Sequence, residues 1–95
     1  MNQTFSAGTE LLTSEAQNLV LAADALQCAV DSIDAETMAI ADGWSGPIVA
    51  AWLSLWDQRL SAWAEVIAAI REAADHMASL AADYAATAAG AAAFF

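Results

Sequence analysis

The stretch DGWSGPIV, residues 42–49, decides the fold, because it interrupts a chain whose composition otherwise favours helix. Two glycines and the single proline of the protein crowd into residues 43–47. Glycine and proline are the strongest local breakers of helical structure. Proline is also well suited to the first turn of a new helix, where no amide hydrogen is needed. The stretch therefore predicts a tight turn at residues 42–47, with Ser45 or Gly46 capping the second of two long helices.

The residues before the turn predict a helix over about residues 8–41, with Thr9 or Ser6 as its capping hydroxyl. Apolar residues recur there at alternating spacings of four and three, which is the heptad pattern of packed helices. Only Thr37 in this pattern is polar. The pattern runs through Leu12, Ala16, Leu19, Ala23, Leu26, Val30, Ile33, Thr37, Ile40 and Trp44. Since Trp44 extends the pattern into the turn, we expect its side chain to plug the end of the hairpin.

The residues after the turn predict a second helix over about residues 48–86, followed by a flexible tail at 87–95 that contains Gly90. One apolar row comprises Val49, Trp52, Trp56, Arg59, Trp63, Val66, Ile70, Ala73, Met77, Leu80 and Tyr84. A second row, one position later, comprises Leu53, Leu60, Ile67, Ala74, Ala81 and Ala88. Arg59 does not belong in a dry core, so it is a candidate contact to a partner chain.

The fold class expected from these patterns is all-α, an antiparallel two-helix hairpin that forms a single domain. One pair of helices cannot cover two apolar rows, and large exposed apolar surfaces indicate a partner. We therefore expect two hairpins to pair into a four-helix bundle. The residues expected at the dimer interface are Leu19, Leu26, Val30, Ile33, Trp52, Trp56, Leu60, Trp63, Ile67 and Ile70. For the tryptophans themselves, filling of a seam is the first expectation, and anchoring of an interface is the alternative.

The charge balance excludes nucleic acid as a partner. The 95 residues include twelve acids, two arginines and one histidine, which gives a formal charge of −10. Nucleic acid and anionic membrane surfaces both require cations. A dimer of identical chains would double the negative charge, so the composition favours a heterodimer, although a homodimer stays open. The sequence shows neither a membrane span nor a cleaved signal peptide.

Catalytic chemistry finds little support, and no cofactor or metal is expected. Cys28 is a lone cysteine on a predicted helix, where a buried, small apolar role is the expectation. His76 has no nucleophile beside it, and a solvated role is expected. The acid pairs Asp31–Asp34 and Glu72–Asp75 have no histidine or glycine loop that would complete a metal site.

The whole chain resembles the WXG family, the ESAT-like proteins of about a hundred residues that type VII systems export from actinobacteria and Firmicutes. The likeness lies in two long helices, the central Trp44-Ser45-Gly46 and the aromatic Trp52 eight residues after the turn tryptophan. It implies dimeric four-helix bundles that are exported folded, without a cleaved signal peptide, to the cell surface or medium. It also implies that Trp44 and Gly46 lie beside an export motif, Tyr-X-X-X-Asp/Glu, on the partner chain.

The chain departs from the family at that motif. Tyr84 matches the motif tyrosine, but Ala88 stands where the acid is expected. The resemblance therefore implies a paralogous partner that supplies the complete motif, and the secretion ATPase as a further partner. The function it implies is that of a non-enzymatic secreted protein, a co-secretion partner or effector. Two alternatives are an adaptor that delivers a larger toxin to the secretion apparatus and a membrane-disrupting secreted protein.

Overall fold

Two helices make up the structure, a computed structural model that describes the backbone of residues 2–94 and the side chains of residues 7–90. Helix α1 spans Asn2–Asp42 and helix α2 spans Pro47–Phe94. Residues 43–46 join them, and cross-helix contacts such as Asp24–Arg71 and Asp34–Trp56 show that the helices are antiparallel. The Cα positions extend over 74 × 16 × 12 Å, a single flat rod. The all-helical hairpin predicted from the sequence is confirmed.

Both helices are longer than predicted. Helix α1 begins at Asn2 rather than near residue 8, so Ser6 and Thr9 lie inside it and cannot cap it. Helix α2 continues to Phe94, so the predicted end near residue 86 was wrong. The reason is that alanine, the strongest helix former, fills most of residues 85–93, and one glycine costs a helix only about 1 kcal/mol. The side chain of Phe94 and the whole of Phe95 lie outside the described residues.

The turn is closed by backbone hydrogen bonds at both of its ends. The amides of Gly43 and Trp44 donate to the carbonyls of Ile40 and Ala41 at 3.2 and 3.0 Å, which tightens the end of α1. The Ala50 amide donates to the Gly46 carbonyl at 3.2 Å, so Gly46 is the N-cap of α2 and Pro47 its first residue, as predicted. Gly46 has a φ of +112°, a value that L-amino acids with a side chain rarely adopt.

The core between the helices is narrow because small residues form much of it. Ala23 is fully buried, and it packs with Val30 and Ile67 at the centre of the rod. Leu26, Leu60 and Ile70 flank this cluster. The other buried apolar residues are Ala16, Ala41, Ala74 and Ala81. Alanines let the helix axes approach closely but bury little apolar area, so much of the hairpin's apolar surface stays outside.

The buried line of α1 drifts away from the predicted heptad row. Thr37 is buried as part of that row, but near the turn Ala41 is buried while Ile33 and Ile40 are 49% and 56% exposed. An α-helix of 3.6 residues per turn rotates about 20° per heptad relative to a 3.5-residue repeat. Between residues 16 and 41 this rotation accumulates, so that near the turn the residues in contact with α2 come one position later in the sequence than the heptad row.

In α2 the second apolar row, rather than the first, faces α1. Every member of the row from Leu53 to Ala88 is buried or half-buried, with Ile67 at 4% exposure. In the first row Val49, Ile70 and Met77 are half-buried, as is Trp56. The other members of that row are exposed: Trp52, Arg59, Trp63, Val66, Ala73, Leu80 and Tyr84. The prediction that the first row forms the seam was therefore wrong for most of its members.

Candidate interaction surface

Most of the exposed large apolar residues that the structure describes lie on one broad side of the hairpin, whereas Leu11, Val20, Leu21 and Met38 are exposed elsewhere. Ile40, Val66 and Leu80 each come one residue before a buried residue, and Ile33 comes one residue before the half-buried Asp34. One residue is a rotation of 100°, and equal rotations in two antiparallel helices point to the same side of the pair. We call this side the open face; it consists of Leu19, Leu26, Ile33, Ile40, Trp44, Ile48, Trp52, Leu55, Trp63, Val66, Leu80 and Tyr84.

The turn end of the open face forms a shallow apolar recess. Ile40, Trp44, Ile48, Val49 and Trp52 line it, and they come from both helices and the connection. Trp44 is 70% exposed, so the prediction that it plugs the hairpin was wrong. Its exposure follows from its place after the last turn of α1, where the chain has already left the helix axis. A large aromatic side chain is thus displayed beside the glycine that shapes the turn.

Arg59 also lies on the open face. It is exposed, one turn from Trp63 and two turns from Trp52 on the same helix. Arg59 therefore lies outside the core of the hairpin, and its contact to a partner chain stays a prediction. Across the described part of the chain, the ion pair recorded is that of Arg71 with Asp24, and Arg59 has none. A guanidinium without an ion pair, set among indoles, suits contact with an acidic or aromatic group of another molecule.

The opposite side of the hairpin carries polar contacts near its middle and turn, beside the exposed Met38. Arg71 pairs with Asp24 at 2.9 Å, and both side chains are about half exposed. The Trp56 indole donates to an Asp34 carboxylate oxygen at 2.9 Å. Trp56 is thus turned toward this side and held to α1. Further from the turn, this side has a groove lined by alanines together with polar residues and with Val20 and Leu21.

The residues predicted for a dimer interface fall into two groups. Val30 and Ile67 are buried between the hairpin's own helices, and Leu60 and Ile70 flank them, so these four belong to the hairpin core. Ile33, Trp52 and Trp63 are 40–49% exposed on the open face. Leu19 and Leu26, both half-buried, lie at its edge, and Leu26 also flanks the core cluster. Trp56 is half-buried and bonded to Asp34. The contact of the exposed members with a second chain stays a prediction.

The remaining candidate residues are exposed, except for Asp34, which is half-buried beneath its bond to Trp56. Cys28 is exposed rather than buried, because it lies on the outer side of α1, away from α2. His76 is exposed, as predicted. The acid pairs Asp31–Asp34 and Glu72–Asp75 belong to no group of three metal-ligating side chains among the residues that the structure describes. Neither helix, over its described length, has an apolar stretch sufficient to cross a membrane.

Tyr84 lies far from Trp44, near the free ends of the helices. Its ring is close to Gly8 of α1: a Cβ added at Gly8 would lie 3.9 Å from the Tyr84 Cε1 atom. Tyr84 itself is 44% exposed on the open face. Ala88, four residues later, is half-buried and continues the inner row of α2. The position where the family motif has an acid is therefore turned toward the inside of this hairpin.

Comparisons with protein-family models, curated proteins and solved structures find no match to this chain.

Proposed function

We propose that this protein is a small, non-enzymatic protein exported by a type VII system as a dimer, acting as a co-secretion partner or effector. The observation that carries the proposal is the open face. It displays three tryptophans, Trp44, Trp52 and Trp63, at 40–70% exposure on one side of the hairpin. Tryptophan is enriched at the energetic centres of protein interfaces. An isolated hairpin gains nothing from such a surface, whereas a second hairpin would bury it in a four-helix bundle.

The positions of Trp44 and Tyr84 favour export as a two-chain assembly. Residues 47–84 of α2 separate them, a distance of roughly 55 Å at 1.5 Å per residue. Within one chain the turn tryptophan and the motif tyrosine therefore lie at opposite ends of the rod. The composite export surface that the family resemblance implies then requires a second chain, whose own motif region lies beside Trp44.

Delivery of a larger protein is the second candidate function. Ala88 takes the place of the motif acid and is half-buried, so this chain depends on another chain for a complete export motif. A hairpin at one end of a larger toxin could cover the open face as well as a small paralogue could. Membrane disruption would use the same exposed tryptophans, and leakage of lipid vesicles at acid pH would support it.

An export assay tests the proposal. The protein should accumulate in the culture medium of a host with its type VII ATPase and stay inside cells that lack the ATPase. Trp44→Ala should be retained in the cell while remaining helical, because this side chain contacts solvent rather than the core. Leu21→Ala is the matched control, since Leu21 is 65% exposed on the outer side of α1 and should not affect export. Equal amounts in the medium with and without the ATPase would refute the proposal. The mass of the exported complex distinguishes a small dimer from a delivered toxin.

A further inference from the structure

A pocket between the two helices lies near the turn, on the side of the hairpin opposite the open face. Its volume is about 300 Å³, and polar and apolar side chains line it. Pockets that bind small molecules start at about this size. The pocket therefore suits a single long side chain better than a large ligand. The lining residues are Asp34 and Met38 of α1 and Leu53, Ser54, Trp56 and Asp57 of α2.

The two carboxylates of the pocket have no ion pair among the residues that the structure describes. Asp57 is exposed, and the half-buried Asp34 accepts a hydrogen bond of 2.9 Å from the Trp56 indole. A carboxylate has about four acceptor positions, so this bond leaves Asp34 able to accept others. The chain has two arginines and no lysine. Arg71 is held in its own ion pair and Arg59 lies on the open face, so a cation for the pocket has to come from another molecule.

We propose that the pocket binds an arginine side chain of a partner protein. The aliphatic stem of the arginine would pack against Leu53 and Met38, which form the apolar part of the lining. Its guanidinium would donate hydrogen bonds to Asp34 and Asp57, since a planar fork of N–H groups matches the geometry of carboxylates. Trp56 adds an aromatic group, and guanidinium groups pack favourably on indoles.

The lining favours arginine over a metal ion and over a free polyamine. The described residues contain no group of three side chains that could hold a metal, whereas calcium takes about six to eight oxygen ligands. A polyamine carries several charges along its length, and some of them would lie against Leu53 and Met38 without an acceptor. Arginine carries one charge at the end of an apolar stem, in the same order as the apolar and acidic parts of the pocket.

The inference goes beyond the proposed function, because it concerns a further partner and a different surface. A second hairpin on the open face would leave the opposite side in water, so the pocket stays accessible in the proposed dimer. Arginine is among the residues enriched at the energetic centres of protein interfaces. A partner with an exposed arginine could therefore use this pocket as an anchor point while the dimer is intact.

A titration of the nitrogen-15-labelled full-length chain with Nα-acetyl-arginine amide, followed by NMR, tests the pocket. The four tryptophans give separate indole N–H signals, and Trp56→Phe identifies the signal of Trp56. That signal should shift and saturate with a Kd of about 1–10 mM, as expected for one side chain. The signals of Trp44, Trp52 and Trp63 are internal controls and should not saturate. Nα-acetyl-citrulline amide, a neutral analogue of the same shape, should not bind.

Replacing each acid by its amide tests the charge while keeping the shape. Asp34→Asn should raise the Kd by about tenfold or more, because it removes a half-buried partner of the guanidinium, while its amide oxygen can still accept from the indole. Asp57→Asn should raise it by about threefold to fivefold, since exposed ion pairs are weaker. Asp83→Asn, an equal change of net charge far from the pocket, should leave the Kd unchanged. All three variants should keep their helical circular dichroism.

The same signals decide against the proposal if it is wrong. The absence of a saturable shift, equal shifts at all four indoles, or a Kd that is unaffected by Asp34→Asn would overturn it. Spermidine or calcium chloride that binds at the Trp56 signal tenfold more tightly than the arginine compound would reassign the pocket to a polyamine or a metal ion. None of these outcomes depends on export, so the proposed function would stand or fall separately.

Discussion

Replacing Gly46 with alanine should destabilise the hairpin, although the added methyl group meets no neighbour. Gly46 has a φ of +112°, and a Cβ built there has nothing within 4 Å. The penalty is therefore conformational rather than steric contact with the rest of the fold. It arises because a side chain on an L-residue clashes with its own backbone at such angles. The test thus isolates the reason for glycine at the third position of Trp44-Ser45-Gly46.

The expected magnitude combines two opposing terms. Holding a residue other than glycine in a sparsely populated backbone region costs about 1–3 kcal/mol. Alanine also restricts the unfolded chain, which returns about 0.4–1 kcal/mol. The net loss in the free energy of unfolding should be about 1–2 kcal/mol. For a domain of this size, each kcal/mol corresponds to a fall in Tm of about 4–8 °C.

Two other glycines provide controls with the opposite sign. Gly90 lies within α2 with open space around its Cα, and Gly8 lies within α1 at ordinary contact distance from the Tyr84 ring. Glycine inside a helix is less favourable than alanine by up to about 1 kcal/mol. Gly90→Ala and Gly8→Ala should therefore stabilise the protein or leave it unchanged. The same chemical change should thus have opposite effects at the turn and in the helices.

Urea unfolding followed by circular dichroism, at a single protein concentration, measures all three variants. The concentration must be fixed because an associating chain gains stability by mass action. If Gly46→Ala unfolds at the same urea concentration as the wild type, the backbone explanation of this glycine is refuted. If Gly90→Ala is destabilising instead, the result would contradict a continuous helix over residues 87–94.

Two further predictions concern the contact between the helices. Ala23→Leu should lower the free energy of unfolding by about 1–3 kcal/mol, because Ala23 is 0% exposed and a larger side chain would push the helices apart. Ala25→Leu, on the exposed side of α1, is the control. It should change the free energy of unfolding by less than about 0.5 kcal/mol in the same urea titration. Trp56→Phe removes the donor to Asp34 and should cost about 1–2 kcal/mol, whereas Trp52→Phe, which has no such recorded bond, should cost less. A double-mutant cycle with Asp34→Ala, in which the two losses simply add, would contradict the coupling of these side chains.

The turn was the most predictable part of the molecule. Gly46 and Pro47 encode local geometry directly, since a proline fits the first position of a helix and a glycine fits a positive φ. The helix ends were less predictable. The alanines after residue 84 are compatible with two outcomes, a loose tail without packing partners or a continuous helix. The structure shows the second, with helix α2 continuing to Phe94.

The inner and outer sides of each helix were harder to predict than the existence of the helices. In α2 two apolar rows lie one residue apart, and the pattern alone does not say which of them faces α1. Packing decides it: Ala74 and Ala81 allow close approach of the helices, while Trp52 and Trp63 do not fit a core that narrow. The smaller residues therefore face inward and the larger ones outward. A criterion of residue size, rather than hydrophobicity, would have identified the correct row.

Because the small apolar residues are buried and the large ones are exposed, the hairpin is suited to association with another molecule. A self-sufficient helical pair would bury its largest apolar side chains, because they contribute the most to stability. Here the buried residues include five alanines, while the tryptophans of the open face and the neighbouring isoleucines remain accessible. The small residues thus pack the two helices of the hairpin together, and the large residues are available for contact with a partner molecule. Burial of the open face by a partner would explain why the tryptophans lie there, and the hairpin alone does not explain it.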